Sequence, residues 1–402
     1  MKTVAVPVIV LTILLPTITA GTVVNMVDGL FSKTTVSDGL QLKATTTFQP
    51  IHALTTSIHI KNPSSVFVHY GITFHSSNKD FYSKLQINSF NAGSLVHTGN
   101  QLYKTATGFW MENLNPGQYT IEVHYKSPVN IVMGVADWQA AVLHMFWAED
   151  SRAVSSGIKC YPEPTSINAY NYWGILSDLE TVLHLQSTRV VLAAYQFSSE
   201  MATPSHVVTA LGVNGFHQHS SSFLNGDIAF LNLHGVWAER RSQNYMQFNV
   251  LYRTPTTLSF TDCKEDYKNN KNLYAMIFPP SCNVVTVNPK GNFAIGNSNV
   301  WAPTDVSHSL SLSKQSHVFI MYQFAGPFGG KTIVMRLSIN SVPQKHTQSL
   351  MGEMTYGGMF GMWQGVLNSG THKITLDYRG NAKAGLQGVQ LWQTRAITAV
   401  YC

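Results

Sequence analysis

Apolar and polar residues alternate along several stretches of this chain. Residues 119–125 read Tyr-Thr-Ile-Glu-Val-His-Tyr, and the same alternating frame returns at residues 246–252 and 372–378. A period of two is typical of strands with one buried face, and no stretch of twelve residues shows the 3.6-residue period of a helix. Because turn signals such as Asn-Pro-Gly at 115–117 separate these stretches, the pattern predicts an all-β chain of short antiparallel strands.

The pattern occurs three times along the chain. The motif Gly-x-Trp recurs with its tryptophan at Trp110, Trp237 and Trp363. Fifteen residues after each tryptophan comes a tyrosine, which a basic residue follows: Tyr125-Lys126, Tyr252-Arg253 and Tyr378-Arg379. Two further markers keep the same period of about 126 residues, an Asn after Leu-x-(Ile/Val) at 88, 214 and 340 and a Tyr at 70, 195 and 322.

These markers predict three tandem antiparallel β-sandwich domains of the jelly-roll type. A unit of this size suits eight strands better than a seven-stranded immunoglobulin domain, and the Cys…Trp…Cys spacing of the latter is absent. Pro-containing stretches at 160–165 and 279–289 indicate linkers. The predicted organisation is a signal peptide at 1–20, followed by repeats at 21–160, 161–285 and 286–402.

The first twenty residues have the features of a secretory signal peptide. Lys2 precedes an apolar stretch at 4–15, and Ala20 is a small residue at the expected cleavage position. An uncleaved anchor is the alternative, but the apolar run is short and is broken by Pro7. We therefore expect a secreted, extracellular protein with no membrane span after signal cleavage.

Charge is sparse and spread along the chain. Lys and Arg number 26 against 20 Asp and Glu, which gives a formal charge of +6 and a pI of about 9.0. Since no basic run is longer than Arg240-Arg241, nucleic acid is not an expected partner. A mildly basic surface instead favours acidic matrix polysaccharide or acidic protein. The carboxylates are too few for an acidic, calcium-saturated mineral binder.

The four cysteines are even in number, which in a secreted chain favours disulfides over thiol catalysis. We predict a Cys263–Cys282 bond, because these two residues bracket the polar insert 264–271 that makes the second repeat longer. Cys160 and Cys402 both follow the final predicted strand of a repeat. They either pair with each other or link two molecules.

No residue pattern predicts a catalytic, cofactor or metal site. The chain contains neither Gly-x-Ser-x-Gly nor His-Glu-x-x-His, and its carboxylates form no recurring pair. His217 and His219 could share one metal ion on a strand face. No Cys or carboxylate lies within the next few residues and the other repeats lack the pair, so a His-rich loop is favoured. A hydrolase assembled from distant residues is the remaining alternative.

The repeated tryptophans and tyrosines are predicted to be core residues. An equivalent Trp in each copy, at a constant offset from the following strand, is expected of a packing role, and a sugar-stacking platform is the alternative. The Asn at 88, 214 and 340 is predicted to end a strand in a turn, because Ser or Gly follows it. Ligand binding by this Asn is the alternative.

Two strand motifs carry a resemblance to a known family. Residues 318–322 (Val-Phe-Ile-Met-Tyr) form an aromatic-rich early strand, and residues 117–121 (Gly-Gln-Tyr-Thr-Ile) form a Gly-Tyr strand. In these features and in size, each repeat resembles the jelly rolls of the C1q and tumour-necrosis-factor group. Because C1q-type jelly rolls usually work as trimers, the resemblance implies that the three copies pack as a pseudo-trimer. An extended string is the alternative.

The whole chain is also similar in style to the secreted, repeat-built proteins of coral skeletal organic matrix. This likeness rests on the signal peptide, the tandem sandwiches and the closing Ala-Val-Tyr-Cys at 399–402, and it implies a role in biomineralization. We therefore predict a secreted, non-enzymatic structural or adhesive protein of an extracellular matrix, with a skeletal or mineral-associated role. The alternative is a multivalent binding protein, either a lectin or a C1q-like ligand, since three similar units raise avidity.

Overall fold

The computed structural model describes residues 31–36, 40–75, 80–98, 103–133, 139–149, 151–158, 165–219, 223–242, 244–260, 270–328, 331–351, 356–380, 384–386 and 393–402. Strands dominate these residues, and no α-helix occurs among them. The protein is all-β, with several antiparallel sheets packed together, as the alternating pattern predicted. Within the described ranges, no helix is long and apolar enough to cross a membrane. The predicted signal peptide, Cys160 and Cys263 lie outside the described residues.

The first strand set contains ten strands: β1 (Phe31–Val36), β2 (Gln41–Leu42), β3 (Thr45–Ile60), β4 (Ser64–His75), β5 (Tyr82–Ile87), β6 (Phe90–His97), β7 (Tyr103–Leu114), β8 (Gly117–Ser127), β9 (Ile131–Val132) and β10 (Ala140–Ala148). Eight of them build two four-stranded sheets, in the orders β1-β10-β4-β7 and β3-β8-β5-β6, while β2 pairs with β9. In β8, every second residue from Ile121 to Ser127 is buried, because one face of its sheet covers the core of the sandwich.

The second strand set contains β11 (Arg152–Ile158), β12 (Thr165–Ile167), β13 (Tyr170–His184), β14 (Arg189–Val213), β15 (Phe216–His217), β16 (Phe223–Arg241), β17 (Tyr245–Thr254), β18 (Leu258–Phe260) and β19 (Asn270–Ile277). Here β14 and β16 are long enough to run through both layers. The first half of β14 lies between β19 and β16, and its second half pairs with β17 and with the start of β16. The strand β11 pairs with β19, and β13 pairs with β17. The two layers therefore have the orders β11-β19-β14-β16 and β13-β17-β14-β16, which match the two sheets of the first set.

The third strand set contains β20 (Asn283–Val287), β21 (Phe293–Ile295), β22 (Ser298–Leu312), β23 (Ser316–Pro327), β24 (Ile333–Ile339), β25 (Val342–Met351), β26 (Tyr356–Leu367), β27 (Gly370–Gly380), β28 (Ala384–Leu386) and β29 (Thr394–Tyr401). Its sheets have the orders β20-β29-β23-β26 and β22-β27-β24-β25, and β21 pairs with β28. These orders repeat those of the first set strand for strand. Eight antiparallel strands in two packed four-stranded sheets are the arrangement of a jelly roll.

One tyrosine in each set connects the two layers of its sandwich. Tyr70, Tyr195 and Tyr322 are completely buried. Each hydroxyl lies within hydrogen-bond distance of the opposite layer, at Ser83 Oγ (3.1 Å), at Thr209 Oγ1 (2.9 Å), and at the main-chain oxygens of Met335 and Thr347 (3.1 and 2.9 Å). Since a buried hydroxyl needs a partner, this contact fixes the spacing of the layers at the same place in every set.

The asparagine marker forms the same hairpin turn in every set. Asn88, Asn214 and Asn340 have φ angles of 49°, 50° and 51°, and the following residues have φ angles of 68°, 80° and 65°. Two consecutive positive φ angles define a type I′ turn, whose twist matches that of the flanking strands. Each Asn side-chain oxygen also accepts a hydrogen bond of 2.8 Å from a main-chain N–H of the adjacent strand. The predicted turn is confirmed.

Each of the three strand sets contacts the other two, so the sets close a ring. The contact between two sets is called a seam. One hydrogen bond from each seam illustrates the pattern: Asn113 Nδ2 to Ala153 O (2.7 Å) between the first and second sets, Arg240 Nη1 to Asn283 Oδ1 (2.8 Å) between the second and third, and Thr105 Oγ1 to Leu350 O (3.1 Å) between the first and third. Because the third set also contacts the first, the sets do not form an extended string.

Aromatic side chains from all three sets meet at the centre of the ring. Phe109, His234 and Phe360, one from each set, contact one another with ring centroids 5.1–5.9 Å apart. Phe146, Phe278 and Phe319 form a second such trio at 4.8–5.7 Å. One buried hydrophobic cluster therefore draws on every set. The sheet of each set that faces this centre is called the inner sheet, and the other is called the outer sheet.

Strand pairing divides the chain earlier than the predicted boundaries at 160/161 and 285/286. The strand β11 lies before residue 160 but pairs with β19, and the second boundary falls within β20, which pairs with β29. Both strands therefore belong with the set that follows them. The Pro-containing stretches mark irregular chain, whereas membership of a sandwich depends on which distant strand completes the inner sheet.

The predicted Cys263–Cys282 bond is wrong, because Cys282 is bonded to Cys402. For the same reason, the expectation that Cys402 pairs with Cys160 or links two molecules is also wrong. The strands β20 and β29 are paired with Asn283 opposite Tyr401, which brings the next residue on each side together, with Cα atoms 4.0 Å apart. The prediction rested on the short insert 264–271 between Cys263 and Cys282. It did not consider the pairing of the first and last strands of a set, which joins residues 120 positions apart.

Candidate functional site

One aromatic residue stands at the same position of the outer sheet in each strand set. The register places Gln49, Gly174 and Ala302 opposite the repeated tyrosines Tyr125, Tyr252 and Tyr378. The residues just before these three are Phe48, Trp173 and Trp301, and all are half-buried. Neighbouring residues of a strand point to opposite faces. Because the tyrosines point into the core, the three aromatic residues lie on the outer face.

In the first set, a lysine lies over this aromatic ring. Lys84 Nζ, on β5, is 4.5 Å from the centroid of the Phe48 ring. Beside it, His124 Nε2 is 3.4 Å from Glu122 Oε2. Burial lowers the pKa of His124, and the nearby Glu122 opposes that shift only in part. The imidazole is therefore neutral at neutral pH, and the positive charge of this face comes from Lys84 and Lys126.

In the third set, two arginines lie over the aromatic ring. Arg336 Cζ is 3.8 Å and Arg379 Cζ is 5.0 Å from the centroid of the Trp301 ring. Asp377 Oδ2 lies 3.7 Å from Arg336 Nε and accepts a hydrogen bond from the Ser338 hydroxyl. Arg336 is only 9% exposed, so the carboxylate and the indole enclose its guanidinium group, and the half-buried Arg379 is the more accessible cation of this face.

These two faces use equivalent positions of the repeat. Lys84 and Arg336 each precede the Leu of the asparagine marker, and Lys126 and Arg379 each follow the repeated tyrosine. A cation over an aromatic ring is therefore a property of the repeated unit in two of its three copies. Such a face can bind an anion through the cation and can contact an apolar or sugar ring through the aromatic group.

The second set has histidine in place of the cation. Ala210 occupies the position of Lys84, and the Trp173 ring stacks on the His217 ring at 4.4 Å. The ring of His219 meets that of His217 edge to face, also at 4.4 Å. Burial, and secondarily the charge of His219, lowers the pKa of His217 to about 3. Among the described residues, no third His, Cys, Asp or Glu completes a metal-binding group.

The repeated tryptophans and tyrosines of the sequence analysis lie in the cores. The exposed fractions are 5%, 3% and 8% for Trp110, Trp237 and Trp363, and 6%, 5% and 8% for Tyr125, Tyr252 and Tyr378. A ring this deeply buried offers no face on which a sugar could stack. The aromatic residues at the surface of the outer sheets are different ones.

Sequence reasoning missed Phe48, Trp173 and Trp301. They stand 125 and 128 residues apart, so the repeat period was a signal that could have found them. Phe in the first copy, where the others have Trp, obscured the motif. The cations that meet these rings also lie on other strands: Lys84 and Arg336 are 36 and 35 residues further along the chain than their rings, and Arg379 is 78 residues further along. No local spacing shows such a contact.

Comparisons with known proteins identify no family. No protein-family model and no curated protein matches the chain. Among solved structures, latent PorU from Porphyromonas gingivalis is 8% identical, with a TM-score of 0.23 over 85% of this chain, which spans 32% of the PorU chain. A structure of Sulfolobus turreted icosahedral virus is 9% identical, with a TM-score of 0.20 over 92% of this chain and 90% of that chain. Likenesses this weak carry no argument, and the resemblances to C1q-type and coral matrix proteins stay predictions.

Proposed function

We propose that the protein is a secreted, non-enzymatic structural or adhesive protein of an extracellular matrix, and that it holds acidic polysaccharide on its outer sheets. The observation that carries this proposal is a cation placed over the equivalent aromatic ring in two sets, Lys84 over Phe48 and Arg379 over Trp301. Arginine and lysine form charge-assisted hydrogen bonds with carboxylate and sulfate groups. The adjacent ring adds contact area for the sugar itself.

The ring of strand sets supports binding at more than one place on a polymer. We take each strand set to be one jelly-roll domain, so the chain is a pseudo-trimer in a single polypeptide. The inner sheets meet at the centre, and the outer sheets therefore face away from it. Two cation–aromatic faces on one chain can engage one long polysaccharide chain, and linked contacts of this kind raise affinity by avidity.

A skeletal or mineral-associated role belongs to the same proposal, but only as indirect contact with mineral through acidic polymers. The chain has 20 Asp and Glu residues against 26 Lys and Arg residues, so it is not an acidic surface for calcium ions. In a mineralising matrix, a mildly basic protein would instead hold the acidic polymers that themselves contact mineral. This arrangement requires no catalytic group and no cofactor.

Binding to heparin and chondroitin sulfate, with neutral dextran as the uncharged reference, tests the proposal. We expect both acidic polymers to bind and dextran not to bind. The double variant Lys84→Gln/Arg379→Gln removes from each face a cation that lies over the aromatic ring. It should weaken binding about tenfold or more, since one charge-assisted hydrogen bond contributes about 1.5–3 kcal/mol.

The matched control is Lys61→Gln/Lys314→Gln, which removes the same charge from two exposed turns. We expect it to change binding less than about twofold, because charges away from the site are screened at physiological salt. Equal weakening by the two double variants would mean that net charge alone attracts the polymer, and the outer-sheet site would be rejected.

A multivalent ligand for a protein receptor is the second candidate, and a different set of residues favours it. Phe90, Phe216 and Val342 follow the asparagine turn of each set and are 78%, 74% and 59% exposed. Three equivalent apolar side chains at the surface suit a protein partner better than a sugar polymer. Loss of cell-surface binding in a Phe90→Ser/Phe216→Ser variant with unchanged heparin binding would support this candidate.

A further inference from the structure

The glutamine that follows the buried repeat tyrosine bridges two of the three seams in the ring. Gln196 Oε1, in the second set, accepts a hydrogen bond of 3.0 Å from the Phe109 main-chain N–H of the first set. Gln323 Oε1, in the third set, accepts one from the Val236 N–H of the second set. Both glutamines follow the buried repeat tyrosine, and both N–H groups precede the repeat tryptophan. The bridge is therefore a repeated feature, and in both places it supplies a hydrogen-bond acceptor for a main-chain N–H at the edge of an inner sheet.

The third seam lacks this bridge, because the residue that follows Tyr70 is Gly71. The residue that precedes the third repeat tryptophan is Met362. Gly71 and Met362 line the same cavity of about 10 Å³ between the first and third sets. The cavity therefore lies where the third glutamine amide would stand.

Buried polar groups line this cavity. His69 is 2% exposed and Gln348 is 5% exposed. Neither ring nitrogen of His69 and neither side-chain amide atom of Gln348 has a hydrogen-bond partner among the described residues. Thr73, also in the lining, donates its hydroxyl to the Gln348 main-chain oxygen at 3.0 Å. Buried polar atoms of this kind are normally paired with protein or with ordered water.

The protonation of His69 limits what such a site can bind. Burial, and secondarily His234, lowers the pKa of His69 to about 3, so its ring is neutral and offers one donor and one acceptor. A Gln amide and Thr hydroxyls are neutral too. Apart from His346, which also lines the cavity, the polar side chains of the lining are therefore neutral, and they suit a neutral molecule that both donates and accepts hydrogen bonds. A volume of about 10 Å³ admits one molecule of the size of water.

We propose that the cavity between Gly71 and Met362 is a binding site for one water molecule, which replaces the glutamine amide at the third seam and bonds to His69 and Gln348. At this position the seam between the first and third sets is then bridged by water, whereas the equivalent positions of the other two seams are bridged by a glutamine amide. Elsewhere the third seam also has direct hydrogen bonds, such as Gln364 Nε2 to Met145 O at 3.0 Å.

A crystal structure of the full chain at high resolution, together with the variant Gly71→Gln, tests the proposal. We expect one ordered water within hydrogen-bond distance of both His69 and Gln348. In Gly71→Gln, the new amide should displace it and bond to the Met362 N–H. The melting temperature should then rise by about 1–2 °C, because the released water regains its freedom while the amide supplies a direct hydrogen bond.

Two control variants distinguish the effect of the introduced amide group from the effect of merely filling the cavity. Gly71→Ala adds a Cβ at ordinary contact distance, 3.4 Å from Val142 Cγ2 and 3.7 Å from His69 Cε1, and should keep the water. Gln323→Gly should create a second hydrated cavity at the seam between the second and third sets. No density at the site in the unmodified protein, density for an ion instead of water, or a water retained beside the introduced amide in the Gly71→Gln crystal would each overturn the proposal.

Discussion

A hydroxyl group buried in the core of each sandwich connects its two layers. In the second set, Tyr195 is completely buried and its oxygen lies 2.9 Å from Thr209 Oγ1. Burial raises the pKa of Tyr195 well above its usual range, so the phenol stays protonated in neutral solution. The same tyrosine recurs at 70 and 322 with partners of different kinds. The position is therefore constrained by its distance from the opposite layer rather than by one partner residue.

Tyr195→Phe should lower the free energy of unfolding by about 1–2 kcal/mol, because Thr209 loses a buried partner while the ring still fills its space. Urea unfolding followed by tryptophan fluorescence measures the change. Tyr172→Phe is the matched control, since Tyr172 is 82% exposed and its hydroxyl can be replaced by water. Equal unfolding midpoints for the two variants would show that the buried hydroxyl contributes nothing.

At the scale of elements, the first and last strands of a set hold its sandwich closed. In the third set, β20 pairs with β29, and the Cys282–Cys402 bond joins the two strands at their ends. The bond encloses a loop of 120 residues, which covers almost the whole set. A cross-link across so long a loop removes much of the conformational freedom of the unfolded chain.

Peptide mapping without reduction should recover a Cys282–Cys402 peptide. Cys160 and Cys263 are then the one intramolecular pair left among four cysteines. The variant Cys282→Ser/Cys402→Ser should lose about 3–5 kcal/mol of stability, because a loop of this length has a large closure entropy. Recovery of a Cys263–Cys282 peptide instead would contradict the Cys282–Cys402 bond that the pairing of β20 with β29 brings about.

At the scale of the whole molecule, histidines are buried where the three sets meet. His69 and His234 are 2% and 3% exposed. The His69 ring stacks on His144 at 5.6 Å and meets Phe360 edge-on at 5.2 Å. Burial lowers the pKa of both His69 and His234 to about 3, with His234 adding to the shift at His69. The ring of sets therefore closes around imidazoles that must stay neutral.

Stability should fall as the pH drops from about 6.5 towards 3. In this window the unfolded chain binds protons at these two histidines and the folded chain does not, so acid favours unfolding. The expected slope is about 1.4 kcal/mol per pH unit for each histidine. Above pH 6.5 both states are neutral at these sites, and their contribution no longer changes.

His234→Phe should reduce that slope, since Phe360 shows that the third set accepts Phe at the equivalent position. Thermal melts of the variant and the unmodified protein between pH 4 and pH 7 measure it. His184→Phe is the control, because His184 is exposed. If His184→Phe flattens the profile as much as His234→Phe does, the acid sensitivity does not come from the centre of the ring.

The sequence by itself determined the strands, the repeat and the local turns. Alternation at 119–125 marked β8 because burial on one face of a strand repeats every second residue. The Asn-Ser and Asn-Gly pairs marked the hairpins because these residues accept positive φ angles at low cost. Such signals are local, and they lie within a few residues of one another along the chain.

Only the tertiary structure decided which distant strands become neighbours. The pattern of the sequence does not show that β3 and β5 bring Lys84 Nζ within 4.5 Å of the Phe48 ring centroid. It does not show that β20 carries Cys282 to Cys402, or that Gln196 reaches Phe109 in another set. These contacts depend on how each sandwich closes and how the sets pack. That choice rests on the summed burial of many side chains, and no short stretch of sequence contains it.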